Sequence, residues 1–223
     1  MFGDISAYYD LMNRLMTFGF DRVWRRHVIL AAELSPGGRL LDMGTGTGEV
    51  ARAALGLNAG LEVIAGDCTL RMIEVGRRRF GGDRILWCCC DALELPFPEA
   101  AFDAVTAGYL LRNVSDLPQA IQEQVRVVKP GHPVVCLDTC PPVHGLLNPL
   151  IRFYLNKVIP LLGSLVAGHR AAYSYLPQST QSFMEPDRLA SIMSAAGLES
   201  ITYRRFMFGT QVVLKGRKPN GWG

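Results

Sequence analysis

The sequence predicts a doubly wound α/β fold: a mostly parallel sheet with helices on both faces. Three observations predict it. Short apolar runs alternate with helix-compatible stretches through the first two thirds of the chain. One such run, Leu40-Leu41-Asp42-Met43, passes directly into Gly44-Thr45-Gly46-Thr47-Gly48 and then a helix-forming segment. An acid, Asp67, ends the next apolar run about twenty residues on, the usual distance to a ribose-binding carboxylate.

In order along the chain, residues 8–16 and 20–34 are expected to be helical, with Leu11, Leu15, Val23, Trp24 and Leu30 as apolar anchors. Together, residues 1–35 form an expected helical cap over the substrate. Strands are expected at 39–43, 61–66, 85–90, 102–107 and 133–138, and helices at 49–57, 69–79 and 116–128. These make a cofactor-binding core over 36–140. Residues 141–185 break the rhythm and read as a helical lid insertion. A helix at 187–196, stopped by Gly197, and β-rich runs at 199–207 and 211–215 complete residues 186–223 of one domain. A chain of 223 residues, 49% hydrophobic, can bury such a core.

The glycine loop carries the most chemistry. Its G-x-G-x-G spacing lacks the third glycine of the dinucleotide fingerprint, because Glu49 stands there, and there is no P-loop lysine. Asp42 and Glu49 would repel a pyrophosphate. A cofactor carrying positive charge fits better, and S-adenosylmethionine has a sulfonium and an ammonium. An ordinary glycine turn among solvated acids would look the same locally. Asp67 tips the reading towards the cofactor, which makes Asp42, Gly44, Thr45, Gly46, Gly48 and Asp67 the candidate contacts, with Cys68 beside them. Asp91 ends the third strand, where it could accept from an adenine amino group with Ala92 completing the contact, or cap the turn. Asp103 is expected to tie the start of its strand.

Composition excludes several classes. A net charge of +3 is too mild to argue for nucleic acid. The arginines at 71, 77–79 and 84 read as a solvated face. No stretch approaches the length of a membrane span, and the chain opens without a charged-then-apolar signal, so a cytoplasmic protein is expected. The six cysteines include Cys88-Cys89-Cys90, which alternate faces on a strand and so cannot jointly hold a metal. They are expected to pack as small hydrophobes in a central strand of a reduced protein. The four histidines show no ligand spacing, and no metal is expected.

The loop Tyr109-Leu110-Leu111-Arg112-Asn113 follows the fourth strand, where substrates meet cofactors in such folds. Arg112 and Asn113 there could stabilise an oxyanion, or Arg112 could cap the next helix.

Several segments together resemble the UbiE/MenG/Coq family of quinone-biosynthesis C-methyltransferases. They are Tyr9-Asp10-Leu11-Met12-Asn13 with Leu15-Met16-Thr17-Phe18-Gly19, Trp24-Arg25-Arg26, the glycine loop, Leu95-Pro96-Phe97, Leu111-Arg112-Asn113-Val114, Arg126 to Gly131 and Tyr173-Ser174-Tyr175-Leu176-Pro177-Gln178-Ser179-Thr180. The glycine loop and Lys-Pro-Gly turn are common to many methyltransferases; the others are more specific. The resemblance implies a seven-stranded class I methyltransferase sheet with an antiparallel last strand. It implies methylation of a ring carbon in a polyprenylated quinol, from demethylmenaquinol to menaquinol or on the corresponding ubiquinone precursor. S-adenosylmethionine would be the donor and S-adenosylhomocysteine the product. It also implies Arg112, Asn113 and Tyr9 as the active-site residues. The chain departs from the family at Leu110 and His132, where glycine is usual, and at Cys140, where a basic residue is common. A methyltransferase for another small aromatic or natural product is the alternative.

In the expected chemistry, a ring carbon beside an ionised hydroxyl attacks the sulfonium methyl. Arg112 is a poor base because guanidinium keeps its proton, so its expected role is to stabilise the phenolate while Asn113 and Tyr9 orient the hydroxyl or a water. Tyr109, Tyr173, Tyr175 and Ser179, with Phe183, are expected to form a lid over the ring. The expected partner is the small lipid quinol. Peripheral contact with a membrane and a homodimer are both compatible with the sequence; residues 145–168 could guide the polyprenyl tail or touch a bilayer, but a helix pair buried in the core is the favoured account of most of them.

Overall fold

The computed structural model describes residues 14–142, 148–159, 161 and 183–221. Its seven strands are β1 (Arg39–Met43), β2 (Glu62–Asp67), β3 (Leu86–Cys89), β4 (Ala104–Gly108), β5 (Pro133–Thr139), β6 (Glu199–Phe206) and β7 (Gln211–Arg217). They lie in the order β3-β2-β1-β4-β5-β7-β6. The pairs β1–β2, β1–β4, β2–β3 and β4–β5 are parallel, whereas β7 runs antiparallel to both β5 and β6. The last strand is therefore antiparallel, as expected, and is inserted between β5 and β6.

The helices are α1 (Asp21–Ala31), α2 (Glu49–Leu57), α3 (Leu70–Arg77), α4 (Leu117–Val127), α5 (Asn148–Phe153) and α6 (Pro186–Ala195). Strands covered on both faces read as near-continuous apolar runs, and all seven residues of β5 are buried. Neighbouring strand residues feed different cores. Leu41, Met43 and Val105 meet Ile121 of α4 and Leu189 of α6. Leu40, Val63 and Ala104 meet Trp24 and Val28 of α1 and Val50 of α2. Asp103 ties the start of β4 as expected: Arg39 N–H donates to its carboxylate at 2.8 Å and Lys129 Nζ at 2.6 Å.

Three expectations need correction. Leu15, Val23 and Leu30 are exposed rather than anchoring. The buried stripe of α1 is Asp21, Trp24, Arg25, Val28 and Ile29, and Arg25 is affordable there because it pairs with Asp21 at 3.0 Å. Cys88 and Cys89 end β3, which is an edge strand and not a central one, and Cys90 follows it. Cys89 is consequently exposed, Cys88 half-buried and Cys90 buried. Burial, aided by neighbouring Cys88, pushes the Cys90 thiol up to about 12. Of the other cysteines expected to pack as small hydrophobes, Cys136 and Cys140 lie in the interior, where burial pushes both up to about 12, whereas Cys68 is exposed. Finally, Phe183 packs on the core instead of standing over a cavity. Most of the expected helix 8–16 lies outside the described residues, as do Tyr9, Tyr173, Tyr175 and Ser179.

Candidate active site

Beyond β1 the chain turns sharply through three glycines in the left-handed region, Gly44 at φ 65°, Gly46 at 57° and Gly48 at 83°. Thr45 N–H donates to Gly66 O at 3.0 Å, pinning the loop to the end of β2. Gly44 must also be bare because a Cβ there would lie 2.8 Å from Leu110 Cδ1. A cavity of about 360 Å³ opens at this edge of the sheet, lined by Gly44, Gly46, Asp67, Cys68, Asp91, Ala92, Tyr109, Leu110 and Asn113 among others. Every strand that feeds it ends there, the usual ligand position in such sheets.

Asp67 is the hinge between loop and strand. One carboxylate oxygen accepts from Gly46 N–H at 2.7 Å and the other from Thr69 N–H at 2.8 Å. A carboxylate has room for about four hydrogen bonds, so two remain for a pair of vicinal hydroxyls. Asp91 both caps and lines: it accepts from Leu93 N–H at 2.9 Å and forms part of the cavity wall.

A second, small pocket adjoins the first across Gly44 and Gly46, lined by Asp42, Thr45, Arg25, Glu49 and Tyr109. Asp42 is buried and accepts from Thr45 Oγ1 at 2.6 Å and Thr106 Oγ1 at 2.8 Å. Burial dominates over these bonds and raises its carboxyl to about 6. Burial raises Glu49 too, but the Arg52 hydrogen bond and the charges of Arg25 and Arg52 outweigh it and hold Glu49 below the usual carboxylate range. Arg25 reaches Glu49 at 2.9 Å. Two acids and a guanidinium around one small space suit an amino-acid zwitterion, with acid for ammonium and guanidinium for carboxylate.

The 109–113 loop is held from several directions. Tyr109 sits at φ 60°, its N–H donating to Leu137 O at 2.7 Å. Its hydroxyl accepts from Trp24 Nε1 at 2.9 Å and donates to Gln211 Oε1 at 3.0 Å, linking α1 to β7. Tyr109 is thus a fixed wall between the two pockets rather than part of a lid. Asn113 faces the large cavity and donates to Tyr109 O at 2.7 Å.

Arg112 is the main correction. Its guanidinium does not line the cavity but lies 5.0 Å over the Tyr109 ring and donates to Asp138 Oδ1 at 2.5 Å. Both side chains are almost wholly buried, 5% and 0% exposed. A charge withdrawn from water needs a counter-ion, and Asp138 on β5 supplies it. Gly48 also stands outside both pockets. A Cβ there would lie 2.5 Å from the Trp87 ring, so this glycine serves close helix–sheet packing. Sequence reasoning missed Arg25, Asp138 and Gln211; only Arg25 left a readable signal, its place on the buried stripe of α1.

A 3-2-1-4-5-7-6 sheet with an acid-flanked glycine loop after β1 and a carboxylate ending β2 defines a class I methyltransferase. Solved structures agree on the fold. Human N-acetylserotonin methyltransferase, in complex with S-adenosylmethionine, superposes with a TM-score of 0.62 at 18% identity over 96% of this chain and 58% of that one. Phosphoethanolamine N-methyltransferase 2 of Haemonchus contortus gives 0.61 at 17% over 86% and 52%. The model of the ubiE/COQ5 methyltransferase family matches residues 1–218, and the chain belongs to that family. A "Ubiquinone/menaquinone biosynthesis C-methyltransferase UbiE" of Desulfotalea psychrophila is 44% identical over 94% of this chain and 85% of its own length. A "Demethylmenaquinone methyltransferase" of Thermus thermophilus is 40% identical over 98% of this chain and its own full length. The protein is a methyltransferase.

Proposed function

We propose that the protein transfers a methyl group from S-adenosylmethionine to a ring carbon of a polyprenylated quinol, with demethylmenaquinol as acceptor. The observation that carries the donor half is Asp67, which braces the glycine loop and faces the same cavity as Asp91. The residues fit that cofactor: Asp67 for the ribose hydroxyls, the Asp91–Ala92 edge for the adenine, and the Arg25, Asp42 and Glu49 pocket for the zwitterionic end. Once bound, the donor supplies an electrophilic methyl on a sulfonium. The acceptor half is supported by the full-length relatives named for demethylmenaquinone.

The remaining work belongs to the chain. Tyr109, Leu110 and Val114 narrow the cavity and exclude water from the meeting point. Asn113 offers an amide on the acceptor side, suited to orienting a ring hydroxyl as it loses its proton. Arg112, paired with Asp138, is a positioning residue: it clamps the Tyr109 ring and with it the wall that sets the angle of approach. The test is transfer of labelled methyl to demethylmenaquinol and, in parallel, to a demethylated ubiquinone precursor. Faster transfer to demethylmenaquinol is expected. Transfer to neither, with the donor bound, would sink the quinol reading.

A further inference from the structure

A third concavity, of about 560 Å³, lies away from the donor cavity and is almost entirely apolar, walled by Phe18, Leu150, Phe153, Tyr154, Met207 and Phe208 among others. Three separate segments build it: residues 14–20, the α5 helix with the π-turn Tyr154–Val158, and the β6–β7 turn. It is a constructed surface. Phe18 stacks on Tyr154 with ring centroids 5.6 Å apart, and the Tyr154 hydroxyl donates to Met16 O at 2.7 Å. Yet its most prominent rings face water: Phe18 is 70% exposed and Phe208 67%. Both hold the left-handed backbone region, at φ 52° and 55°, which bulky residues avoid. A fold that keeps two strained phenylalanines pointing outward gains nothing from them in water.

Charge indicates what covers this face. Residues 14–20, 148–161 and 206–210 contain no Asp or Glu and contribute Arg14, Arg152 and Lys157. Arg14 and Lys157 are exposed. Apolar rings borne on segments that carry cations and no acids match an anionic lipid surface, where rings enter the interface and cations meet phosphate. The placement agrees with this. β6 runs parallel to β1, so its carboxyl end, and the patch with it, lies at the same edge of the sheet as the glycine loop. We propose that this face docks the enzyme on an anionic bilayer, with Phe18 and Phe208 inserted and the donor edge turned towards the membrane. The proposal goes beyond the choice of acceptor and stands without it.

The test is co-sedimentation of the full chain with vesicles of phosphatidylcholine alone and of phosphatidylcholine mixed equally with phosphatidylglycerol, no acceptor present. Binding to the mixed vesicles, weakened by salt and by Lys157→Glu, is expected. Asparagine tolerates the left-handed region, so Phe18→Asn/Phe208→Asn should keep or raise the melting temperature while lowering vesicle affinity about tenfold or more. Methyl transfer to a detergent-dispersed acceptor should be unchanged in that variant, which separates this proposal from the catalytic one. Three results would overturn it: no binding to mixed vesicles, equal binding to both kinds, or undiminished binding by the folded double variant. A concentration-dependent dimer abolished by the same substitutions would also overturn it, by assigning the face to a second copy of the chain.

Discussion

Asp42 shows how a single side chain couples the stability of the site to its chemistry. Its carboxyl sits near 3.8 in the unfolded chain and about 6 when folded. Between those values only the folded chain holds the proton, so stability from this group is complete below about pH 4 and is lost as pH rises through 6. The shift corresponds to about 3 kcal/mol. The stability of Asp42→Asn relative to wild type should therefore rise by about that amount between pH 4 and pH 7 in denaturant titrations; a pH-independent difference would refute it. Affinity for a cationic donor should fall below about pH 6, as the carboxylate is neutralised. Arg112→Ala strands Asp138 and should cost about 3–5 kcal/mol, most of it recovered by Arg112→Met/Asp138→Leu. If that stable double variant kept full turnover, the positioning role would be wrong. Asp42 and Asp67 were legible in the sequence because each follows an apolar strand at a fixed distance from the glycines. The burial of Arg112 was not, because its partner is 26 residues away and arrives only when β4 and β5 pair.

At the level of elements, the loop after β1 and the loop after β4 are fitted to each other. The bare face of Gly44 receives Leu110, and both line the donor cavity. Gly44→Ala should weaken S-adenosylhomocysteine binding about tenfold or more in calorimetry, through strain at φ 65° and the clash with Leu110. Leu110→Gly in the same chain removes the clash and should return part of that loss; no rescue would mean the two loops act independently. Tyr109→Phe leaves Trp24 Nε1 and Gln211 Oε1 without the hydroxyl they share and should cost about 1–3 kcal/mol of stability. Strand and helix positions were readable almost to the residue, since period and turn residues encode them locally. Strand order was not encoded in that way, which is why β3 and its cysteines were expected at the centre. Some of the family-like segments turn out to be structural. Arg126, for example, donates to Phe97 O at 2.7 Å and Leu95 O at 2.9 Å, holding the Leu95-Pro96-Phe97 loop to α4.

For the molecule as a whole, the candidate site among the described residues lies at one edge of the sheet. The cavity at Asp67, the small pocket at Asp42 and the apolar face all lie at the carboxyl ends of the parallel strands. The opposite edge holds strand starts and structural ties such as Asp103 with Lys129. No helix among the described residues is long and apolar enough to cross a membrane. In the proposed division of labour, β1, β2 and Arg25 of α1 hold the methyl donor, while the 109–113 loop shapes the approach of the acceptor. A crystal structure with S-adenosylhomocysteine bound tests this most directly. The account predicts ribose hydroxyls on Asp67, adenine beside Asp91 and Ala92, the amino-acid end between Arg25 and Asp42, and sulfur facing the 109–113 loop. Ribose away from Asp67, or sulfur turned from that loop, would contradict it.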